Sequence, residues 1–435
     1  MRISVVGLGY LGAVHAASMA SLGHDVVGVE VDPSRVEALA LGKAPFYEPG
    51  FDELLTRVQG SGGLTVSPDV ADAAGCAVHF VCVGTPQRPD SLAADLRFVD
   101  AAVSGLVPHL APGDVVVGKS TVPVGTAARL AEQVAATGAT LVWNPEFLRE
   151  GHAVDDTLHP DRIVYGVPAG AAGERAAALL DEVYAAPLAE GVPRIVTDLP
   201  TAELVKVAAN SFLATKISFI NAMAELCEVA GGDVTRLADA IGHDVRIGRR
   251  FLDAGLGFGG GCLPKDIRAF MARAEELGAG EAVAFLAEVD GINNRRRHRM
   301  VELAAEVVGG ELKGRRVAVL GAAFKPESDD VRDSPALDVA QRLAAAGADV
   351  VVTDPQALGT ARARAPHLVY THDLADALTG AEAVLVLTEW RRYRELDPAW
   401  VGSLVARRTV LDGRNALDRS AWEAAGWTYR ALGRS

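Results

Sequence analysis

The sequence predicts an α/β protein with two doubly wound parallel sheets, joined by a long central helix and a small helical domain. Three observations support this prediction. A strand, a glycine turn and a helix follow one another at the amino terminus, the same order returns after residue 310, and about thirty residues near the middle read as one helix. A chain of 435 residues is also too long for one ordinary core. We expect domains at residues 1–198, 199–300 and 301–435.

The composition and net charge of the chain indicate which kind of partner it binds. The net charge is −14, and acidic and basic residues are interspersed, which argues against nucleic acid or an anionic membrane and favours a small metabolite. No apolar run approaches the roughly 20 residues of a membrane span. Four scattered cysteines, at positions 76, 82, 227 and 262, indicate neither a disulfide framework nor a metal site. A reducing cytoplasm is the expected compartment.

The first element is a strand over Ile3 to Val6, followed by the turn GLGYLG and a helix of small residues. Between a strand and a helix, each glycine of the GxGxxG pattern has a structural role. Gly7 permits the tight turn, Gly9 lets the backbone approach a pyrophosphate, and Gly12 lets the helix pack closely on the strand. The pattern predicts a Rossmann-like domain that binds a dinucleotide at the helix amino terminus.

The second strand, DVVGVEVD, carries Glu30 eighteen residues after Gly12. A carboxylate at this distance is placed to accept hydrogen bonds from the adenosine ribose. An acid rather than an arginine at this point favours NAD over NADP. Asp32 competes for the role, although it also reads as a turn residue before Pro33.

Three further strands, in AVHFVCVGTPQ, DVVVGKSTVPVG and TLVWNPEF, end in small, polar or proline residues. The carboxyl ends of parallel strands line the ligand crevice of an α/β sheet. We therefore expect Thr85, Ser120, Thr121 and Glu146 to gather around the cofactor and substrate. Any one of them, taken singly, also reads as a helix cap or turn residue.

The central helix is predicted between Pro200 and Ala230, because this stretch has no glycine and stops at Gly231 and Gly232. Lys206 and Asn210 are four residues apart and share a face of that helix among apolar neighbours. We expect this pair to face something polar, and fixed donors of this kind stabilise an oxyanion.

The glycine-rich loop GFGGGCLPKD holds Cys262. Glycines permit close backbone approach, and a thiol near Lys265 is a candidate nucleophile that adds to an aldehyde so that oxidation continues to a carboxylate. The other three cysteines are expected to be buried small hydrophobes. Asp266, four residues later, and Glu146 are both candidate bases, and spacing does not divide the roles.

A third region, LKGRRVAVLGAAFKPESDDVRDSPALDVAQRLAAAGADVVVTDP, repeats strand, turn, helix and strand and ends near Asp354. Its turn, GAAFK, lacks the second and third glycines of the fingerprint. It is therefore a poor cradle for NAD, and we expect a different nucleotide there.

Eight motifs occur in an order that resembles the UDP-glucose 6-dehydrogenase family: GLGYLG, CVGTPQ, KSTVPVGT, NPEFLREG, ELVKVAANSFLATKISFINAMAELCE, RIGRRFLDAGLGFGGGCLPKD, GAAFKPESDDVRDSPA and LDGRN. The resemblance implies an NAD-dependent oxidoreductase of the cytoplasm. It implies a two-step, four-electron oxidation of the C6 alcohol of a nucleotide sugar, UDP-glucose, to the uronate UDP-glucuronate through a cysteine-bound thiohemiacetal and thioester. It also implies at least a homodimer, joined through the central helix.

The resemblance assigns residues by role. The catalytic set it implies is Cys262, Lys206, Asn210, Asp266, Glu146 and Thr121. The cofactor set is Gly7, Gly9, Tyr10, Leu11, Gly12, Glu30, Asp32, Arg35, Thr85, Pro86, Ser120, Thr121, Glu150 and Arg332. The substrate set is Glu146, Phe147, Leu148, Arg149, Glu150, Lys206, Asn210, Ile217, Arg246, Phe251, Leu252, Asp253, Ala254, Gly255, Phe258, Gly259, Cys262, Phe324, Lys325 and Arg414, with Arg246 reaching a neighbouring subunit.

Two departures bear on the substrate. Asp253 stands where similar proteins more often have asparagine or lysine, and Gly261 replaces a frequent serine. The alternatives are therefore dTDP-glucose, GDP-mannose or UDP-N-acetylmannosamine as substrate. Two less similar functions are further alternatives: a single-step dehydrogenase of the 6-phosphogluconate type, and a protein that senses NAD without turnover.

Overall fold

The computed structural model describes residues 1–434 and contains two compact units. The first unit comprises residues 1–209 and 272–280, and the second comprises residues 210–271 and the chain from Glu281 onward. The three domain boundaries expected from the sequence stay a prediction. Among the described residues, no helix has the length and apolar character needed to cross a membrane.

The first unit is built on an eight-stranded sheet in the order β3-β2-β1-β4-β5-β6-β7-β8. Neighbouring strands are parallel except for β6 and β7, which pair antiparallel. The strands are β1 Arg2–Val6, β2 Asp25–Val29, β3 Leu64–Ser67, β4 Val78–Val81, β5 Val115–Gly118, β6 Thr140–Trp143, β7 Ile163–Gly166 and β8 Arg194–Thr197. The central strands are buried, as apolar strands covered on both faces should be.

Helices cover both faces of this sheet, and the sheet separates two apolar cores. They are α1 Tyr10–Ser21, α2 Pro33–Ala40, α3 Phe51–Gly60, α4 Arg97–Leu106, α5 Thr126–Ala135, α6 Ala153–Leu158, α7 Ala171–Val183 and α8 Ala185–Ala189, with short 3-10 helices at Val70–Ala73 and Val107–His109. One core contains α1, α3 and α7 and the other contains α4 and α5. Helices on both faces of a mostly parallel sheet define a doubly wound fold.

The predicted central helix is confirmed as α9, Leu199–Ala230, which has 32 residues. It is uninterrupted because the stretch contains no internal glycine, and Gly231, with φ +75°, follows it. The second unit adds α10 Val234–Gly242, α11 Leu263–Glu276, α12 Gly280–Val283 and α13 Phe285–Val308, of which α11 and α12 lie partly in the first unit.

The second unit also contains a six-stranded, all-parallel sheet in the order β11-β10-β9-β12-β13-β14. Its strands are β9 Arg316–Leu320, β10 Asp349–Thr353, β11 Val369–Tyr370, β12 Ala383–Val386, β13 Thr409–Asp412 and β14 Thr428–Ala431. Its helices are α14 Pro335–Ala345, α15 Leu358–Arg364, α16 Leu374–Leu378, α17 Arg391–Arg394, α18 Pro398–Gly402 and α19 Arg419–Ala424. The predicted fold class, two Rossmann-like sheets with a long central helix, is confirmed.

Candidate functional site

The glycine turn after β1 has the geometry that the fingerprint requires. Gly7 has φ +88°, and a Cβ there would lie 2.6 Å from the Val83 side chain. A Cβ at Gly12 would lie 1.8 Å from the Gly7 carbonyl oxygen, so α1 can pack this closely only with glycine. At Gly9 the nearest atom, in Arg35, is 4.0 Å away. The space above Gly9 is therefore open for a pyrophosphate beside the first turn of α1, which holds Tyr10 and Leu11.

Glu30 lies at the end of β2, and its carboxylate accepts two hydrogen bonds from the backbone. Its Oε2 accepts from the Leu8 backbone N–H at 2.9 Å, and its Oε1 accepts from the Asp32 N–H at 3.0 Å. A carboxylate has about four lone-pair sites, so sites remain for ribose hydroxyls. Asp32 instead caps α2 through Ser34, and Arg35 lies 3.9 Å from both acids. These residues fit an NAD ribose, with Glu30 as the acceptor.

The strand ends predicted to line the crevice are neighbours, because β1, β4, β5 and β6 are adjacent and parallel. The Thr85 hydroxyl donates to the Thr121 carbonyl at 2.8 Å, and the Ser120 hydroxyl donates to the Val83 carbonyl at 2.6 Å. These bonds join the loops that follow β4 and β5, and Pro86 continues the first of them. These strand ends therefore form one continuous edge of the sheet, and the cofactor and substrate contacts expected of them stay a prediction.

The loop after β6 places Glu146 at that edge. Its Oε1 accepts from the backbone N–H groups of Phe147 and Leu148, at 2.8 and 3.1 Å. Its Oε2 lies 3.0 Å from Lys119 Nζ, a neighbour that the sequence interpretation did not assign. The Lys206 ammonium lies 5.3 Å from the centre of the Phe147 ring, so α9 and this loop present a cation and a carboxylate in the same region.

Further along this loop, Arg149 pairs with Asp156, and its N–H groups are turned to that carboxylate. Glu150 precedes Gly151, whose N–H donates to Glu48 at 2.6 Å. Glu48 also accepts from the Tyr10 hydroxyl and from the Ala153 N–H. This buried carboxylate joins the glycine turn to the loop that carries Glu146.

Sequence reasoning missed Glu48, because it lies in a segment without a recognisable motif. The burial of an acid between two predicted ligand loops is visible only in three dimensions. The missed Lys119, in contrast, begins a quoted motif, KSTVPVGT, and its polarity at a strand end was an available signal.

In the second unit, Cys262 is exposed and immediately precedes α11. The amino terminus of a helix favours an anion, and a thiolate is the reactive form of cysteine. Cys76, Cys82 and Cys227 are buried, as predicted. Burial raises the pKa of the Cys82 thiol to about 12, so it stays protonated at neutral pH.

One turn into α11, Asp266 is buried, and both of its oxygens are engaged. The Asn210 amide donates to Oδ2 at 2.7 Å, and the Lys265 ammonium donates to Oδ1 at 2.5 Å. The structure therefore brings two predicted residues of the second unit, Asn210 of α9 and Asp266 of α11, into contact, and Cys262 immediately precedes α11. Lys265 is an additional partner that fixes the acid.

The glycines of the loop are approached by other parts of the second unit. A Cβ at Gly257 would lie 2.0 Å from Asn293 Oδ1, and one at Gly260 would lie 2.8 Å from the Phe324 ring. A Cβ at Gly261 would lie 2.3 Å from the guanidinium carbon of Arg332, so serine does not fit there in this arrangement. The absence of side chains at these glycines is thus required for packing against α13 and the loop between β9 and α14.

Arg414 holds the same loop from the other side. Its guanidinium donates to the carbonyls of Leu387, Gly257 and Phe324, at 2.9, 2.8 and 3.2 Å. Lys325 lies next to this clamp, with its ammonium 5.4 Å from the Phe324 ring centre. The region therefore carries cationic side chains suited to an anionic ligand.

The predicted substrate residues before the loop mostly present backbone. Leu252 and Ala254 pack in one apolar cluster of the second unit, and Phe258 packs in another, against which Ile217 lies. Phe251 has φ +65°, an uncommon conformation for a bulky residue that frequently marks a functional site. At Gly255 and Gly259 a Cβ would lie 2.5 and 2.4 Å from carbonyl oxygens of Gly413 and Asp333.

Two charged residues of this segment are turned outward. The Asp253 carboxylate is 77% exposed and accepts from Arg249 at 2.8 Å, so it does not point inward. Arg246 is 86% exposed and paired only within its own loop, with Asp244. The doubt that Asp253 raised about an anionic substrate has no support in this geometry.

Backbone N–H groups of the turn after β9 form hydrogen bonds with a side chain of the protein. Asp354 is buried and accepts from the N–H groups of Ala322, Ala323, Gln356 and Ala357 and from the Trp390 indole. A Cβ at Gly321 would lie 2.4 Å from the Thr388 hydroxyl oxygen. The second sheet thus repeats the strand order of the first, with Asp354 bound to the backbone of the turn at the end of β10.

Family models and known proteins match the whole of this arrangement. Residues 1–187 match the NAD binding domain of the UDP-glucose/GDP-mannose dehydrogenase family, residues 200–295 match its central domain, and residues 318–419 match its UDP binding domain. The chain is 40% identical to a UDP-glucose 6-dehydrogenase of Rhizobium meliloti, over all of both chains.

Solved structures agree with this assignment. A UDP-glucose dehydrogenase from Pyrobaculum islandicum superposes with a TM-score of 0.89 at 41% identity, covering 100% of this chain and 98% of that one. A UDP-D-ManNAc dehydrogenase from Pyrococcus horikoshii superposes with a TM-score of 0.86 at 27% identity, covering 100% and 99%.

Proposed function

Because the chain belongs to the UDP-glucose/GDP-mannose dehydrogenase family, we propose that it oxidises the C6 alcohol of UDP-glucose to UDP-glucuronate, with Cys262 as a covalent nucleophile. The chain is an NAD-dependent oxidoreductase. The observation that carries the covalent step is the exposed thiol at the start of α11, one turn from the buried Asp266. Identity of 40% over the full length with a UDP-glucose enzyme supports the substrate.

Gly7, Gly9 and Gly12 would hold NAD, and two NAD molecules bound in turn would each supply the acceptor for one hydride. In the first oxidation the C6 hydroxyl loses its proton to a base and C6 loses a hydride to the cofactor, which gives the aldehyde. The Cys262 thiolate then forms a carbon–sulfur bond to that aldehyde, and the resulting oxyanion is stabilised by fixed donors, for which Lys206 and Asn210 are our candidates.

Loss of the second hydride leaves a thioester on Cys262. Water then adds to the thioester carbon, its proton passes to a carboxylate, and the carbon–sulfur bond breaks to release the uronate and the thiolate. We assign the hydrolytic proton to Glu146, with Thr121 nearby on the adjacent loop. Asp266 has both oxygens engaged by Asn210 and Lys265, which supports a role in orienting the catalytic groups rather than as a mobile base.

The remaining predicted residues complete the proposal. Glu30, Arg35, Thr85, Ser120, Glu150 and Arg332 would serve the cofactor, and Lys325, Arg414 and the backbone from Phe251 to Gly255 would serve the anionic nucleotide. The covalent step requires a reduced thiol, so we place the protein in the reducing cytoplasm. Arg246 is proposed to reach a second copy of the chain.

The decisive experiment offers purified protein four donors with NAD: UDP-glucose, dTDP-glucose, GDP-mannose and UDP-N-acetylmannosamine. We expect two NADH and one uronate per UDP-glucose, and little product from the others. Cys262→Ser should retain NAD binding and lose uronate formation, while the buried control Cys227→Ser should retain both. One NADH per sugar would favour the single-step alternative, and uronate formation by Cys262→Ser at the parental rate would remove the covalent step.

A further inference from the structure

Beneath Glu146, the first unit contains a buried ammonium whose hydrogen bonds are all satisfied. The Lys119 side chain is 3% exposed. Its Nζ lies 3.0 Å from Glu146 Oε2, 3.0 Å from Asn144 Oδ1 and 3.2 Å from the Tyr184 hydroxyl. A lysine ammonium has three N–H donors, and each has one acceptor here.

The acceptors are themselves held in place. The Tyr184 hydroxyl donates to Asn144 Oδ1 at 2.7 Å, and the Asn144 amide donates to the Val164 carbonyl at 2.9 Å. Asn144 therefore accepts two bonds on its oxygen and donates from its nitrogen, which fixes the orientation of its amide. Three neighbouring parts of the sheet, at the ends of β5 and β6 and within β7, are joined in this network.

Counting lone pairs on Glu146 shows what the network leaves available. Oε1 accepts two backbone N–H groups, from Phe147 and Leu148, and Oε2 accepts the Lys119 ammonium. A carboxylate offers about four lone-pair sites, so one site, on Oε2, remains. A base that is limited to one free position can accept a proton only from one direction.

Apart from Glu146, the titratable groups that face Lys119 are neutral near pH 7. Besides Glu146, the titratable groups that face Lys119 are Tyr184, Cys82 and His15. Burial raises the pKa of both Tyr184 and Cys82 to about 12 and lowers the pKa of His15, so all three are neutral near pH 7. Burial by itself lowers the pKa of Lys119, but the Glu146 carboxylate opposes this and the pKa is raised.

We propose that Lys119 is a positioning residue for thioester hydrolysis: its ammonium holds the Glu146 carboxylate turned so that one lone pair receives the proton of the attacking water. This rests on the proposed role of Glu146. Removing the cation while keeping the length of the side chain should therefore slow hydrolysis and leave the two oxidations intact.

The test is rapid-mixing kinetics on Lys119→Met, with the exposed Lys43→Met as control. We expect Lys119→Met to form two NADH per active site in the first turnover and then to turn over about 100-fold more slowly, the loss typical of a misplaced reacting group. A Cys262-linked ester should accumulate and be detectable by its mass. Lys43→Met should behave as the parent.

Tyr184→Phe provides a second variant if Lys119→Met does not fold, as judged by melting temperature and NAD affinity. It retains the charge and removes one acceptor, so we expect hydrolysis about 5-fold slower. Parental hydrolysis in Lys119→Met, or in Tyr184→Phe if only that variant folds, would overturn the proposal. Equal slowing of both oxidations and hydrolysis would also overturn it, since that pattern indicates a general structural defect. Failure of the parent itself to form two NADH per sugar would instead reject the proposed function.

Discussion

The Asn210 side-chain amide donates to Asp266 Oδ2 across 2.7 Å, and both residues are buried. The bond joins α9 to the first turn of α11, directly after Cys262. Lys265 supplies the partner of the other carboxylate oxygen. Each carboxylate oxygen thus has one donor, a neutral amide on one and a cationic ammonium on the other, and loss of either leaves a buried oxygen without its partner.

Replacing Asn210 should reveal this dependence through stability and pH together. Asn210→Leu should cost about 1–3 kcal/mol of stability at any pH between 5 and 8, because it removes a donor and adds no charge. Asn210→Asp should place two carboxylates side by side, which raises the pKa of one in the folded state, so its stability loss should grow as pH rises. Thermal unfolding at several pH values measures both, and a pH-independent loss in Asn210→Asp would contradict the arrangement.

Packing of the glycine loop predicts a sharp difference between two Gly→Ala substitutions. Gly257 has φ +87°, and a Cβ there would lie 2.0 Å from Asn293 Oδ1, so Gly257→Ala should destabilise the second unit by at least about 2 kcal/mol. Gly359, in α15, has open space around its Cα, and Gly359→Ala should be neutral or stabilising by up to about 1 kcal/mol. Differential scanning calorimetry distinguishes the two, and equal effects would refute the packing account.

Much of the first sheet was readable from sequence because its signals are local. The turn of Gly7, Gly9 and Gly12 lies between a β-branched strand and a small-residue helix, and the polar ends of β4, β5 and β6 follow apolar runs. Parallel pairing then places those ends together whatever the details of the loops. The central helix was equally clear, because glycines bound a stretch that has none inside it.

Contacts between residues that are far apart in the sequence could not be predicted from it. Lys119 meets Tyr184 across 65 residues, and Glu48 meets Ala153 across 105. Neither pairing has a spacing rule, since it depends on the order of strands and the path of loops. The antiparallel pairing of β6 with β7 was missed for the same reason, and the glycines after residue 254 were read as ligand contacts although protein atoms approach them.

Buried histidines of the first unit predict weakness in acid. His15 is fully buried, burial lowers its pKa well below the ordinary value, and its ring nitrogens have no hydrogen-bond partner in the described structure. The unfolded chain binds a proton near pH 6.5 and the folded chain does not, so the stability conferred is complete above about pH 6.5 and declines as pH falls. The expected slope is about 1.4 kcal/mol per pH unit for each such histidine.

His15→Leu should therefore reduce the fall in melting temperature between pH 6.5 and 5, while the exposed control His152→Leu should leave that fall unchanged. His24 and His79, whose pKa values burial also lowers, should account for the slope that remains. An unchanged slope in His15→Leu would show that other groups govern the acid response.

The exposed face of α9 predicts self-association. Phe212, Phe219 and Leu226 are exposed and are spaced by seven residues, so they lie along one side of the helix, and Val229 continues the apolar surface. Large apolar side chains aligned in this way are typical of an interface, and the predicted dimer through the central helix would cover them. Phe219→Glu should therefore shift the protein toward monomer in light scattering coupled to gel filtration at micromolar concentration. Phe98→Glu, an exposed apolar side chain on α4, is the matched control and should leave the mass unchanged. A monomeric parent, or a Phe219→Glu variant with the parental mass at every concentration, would place any interface elsewhere.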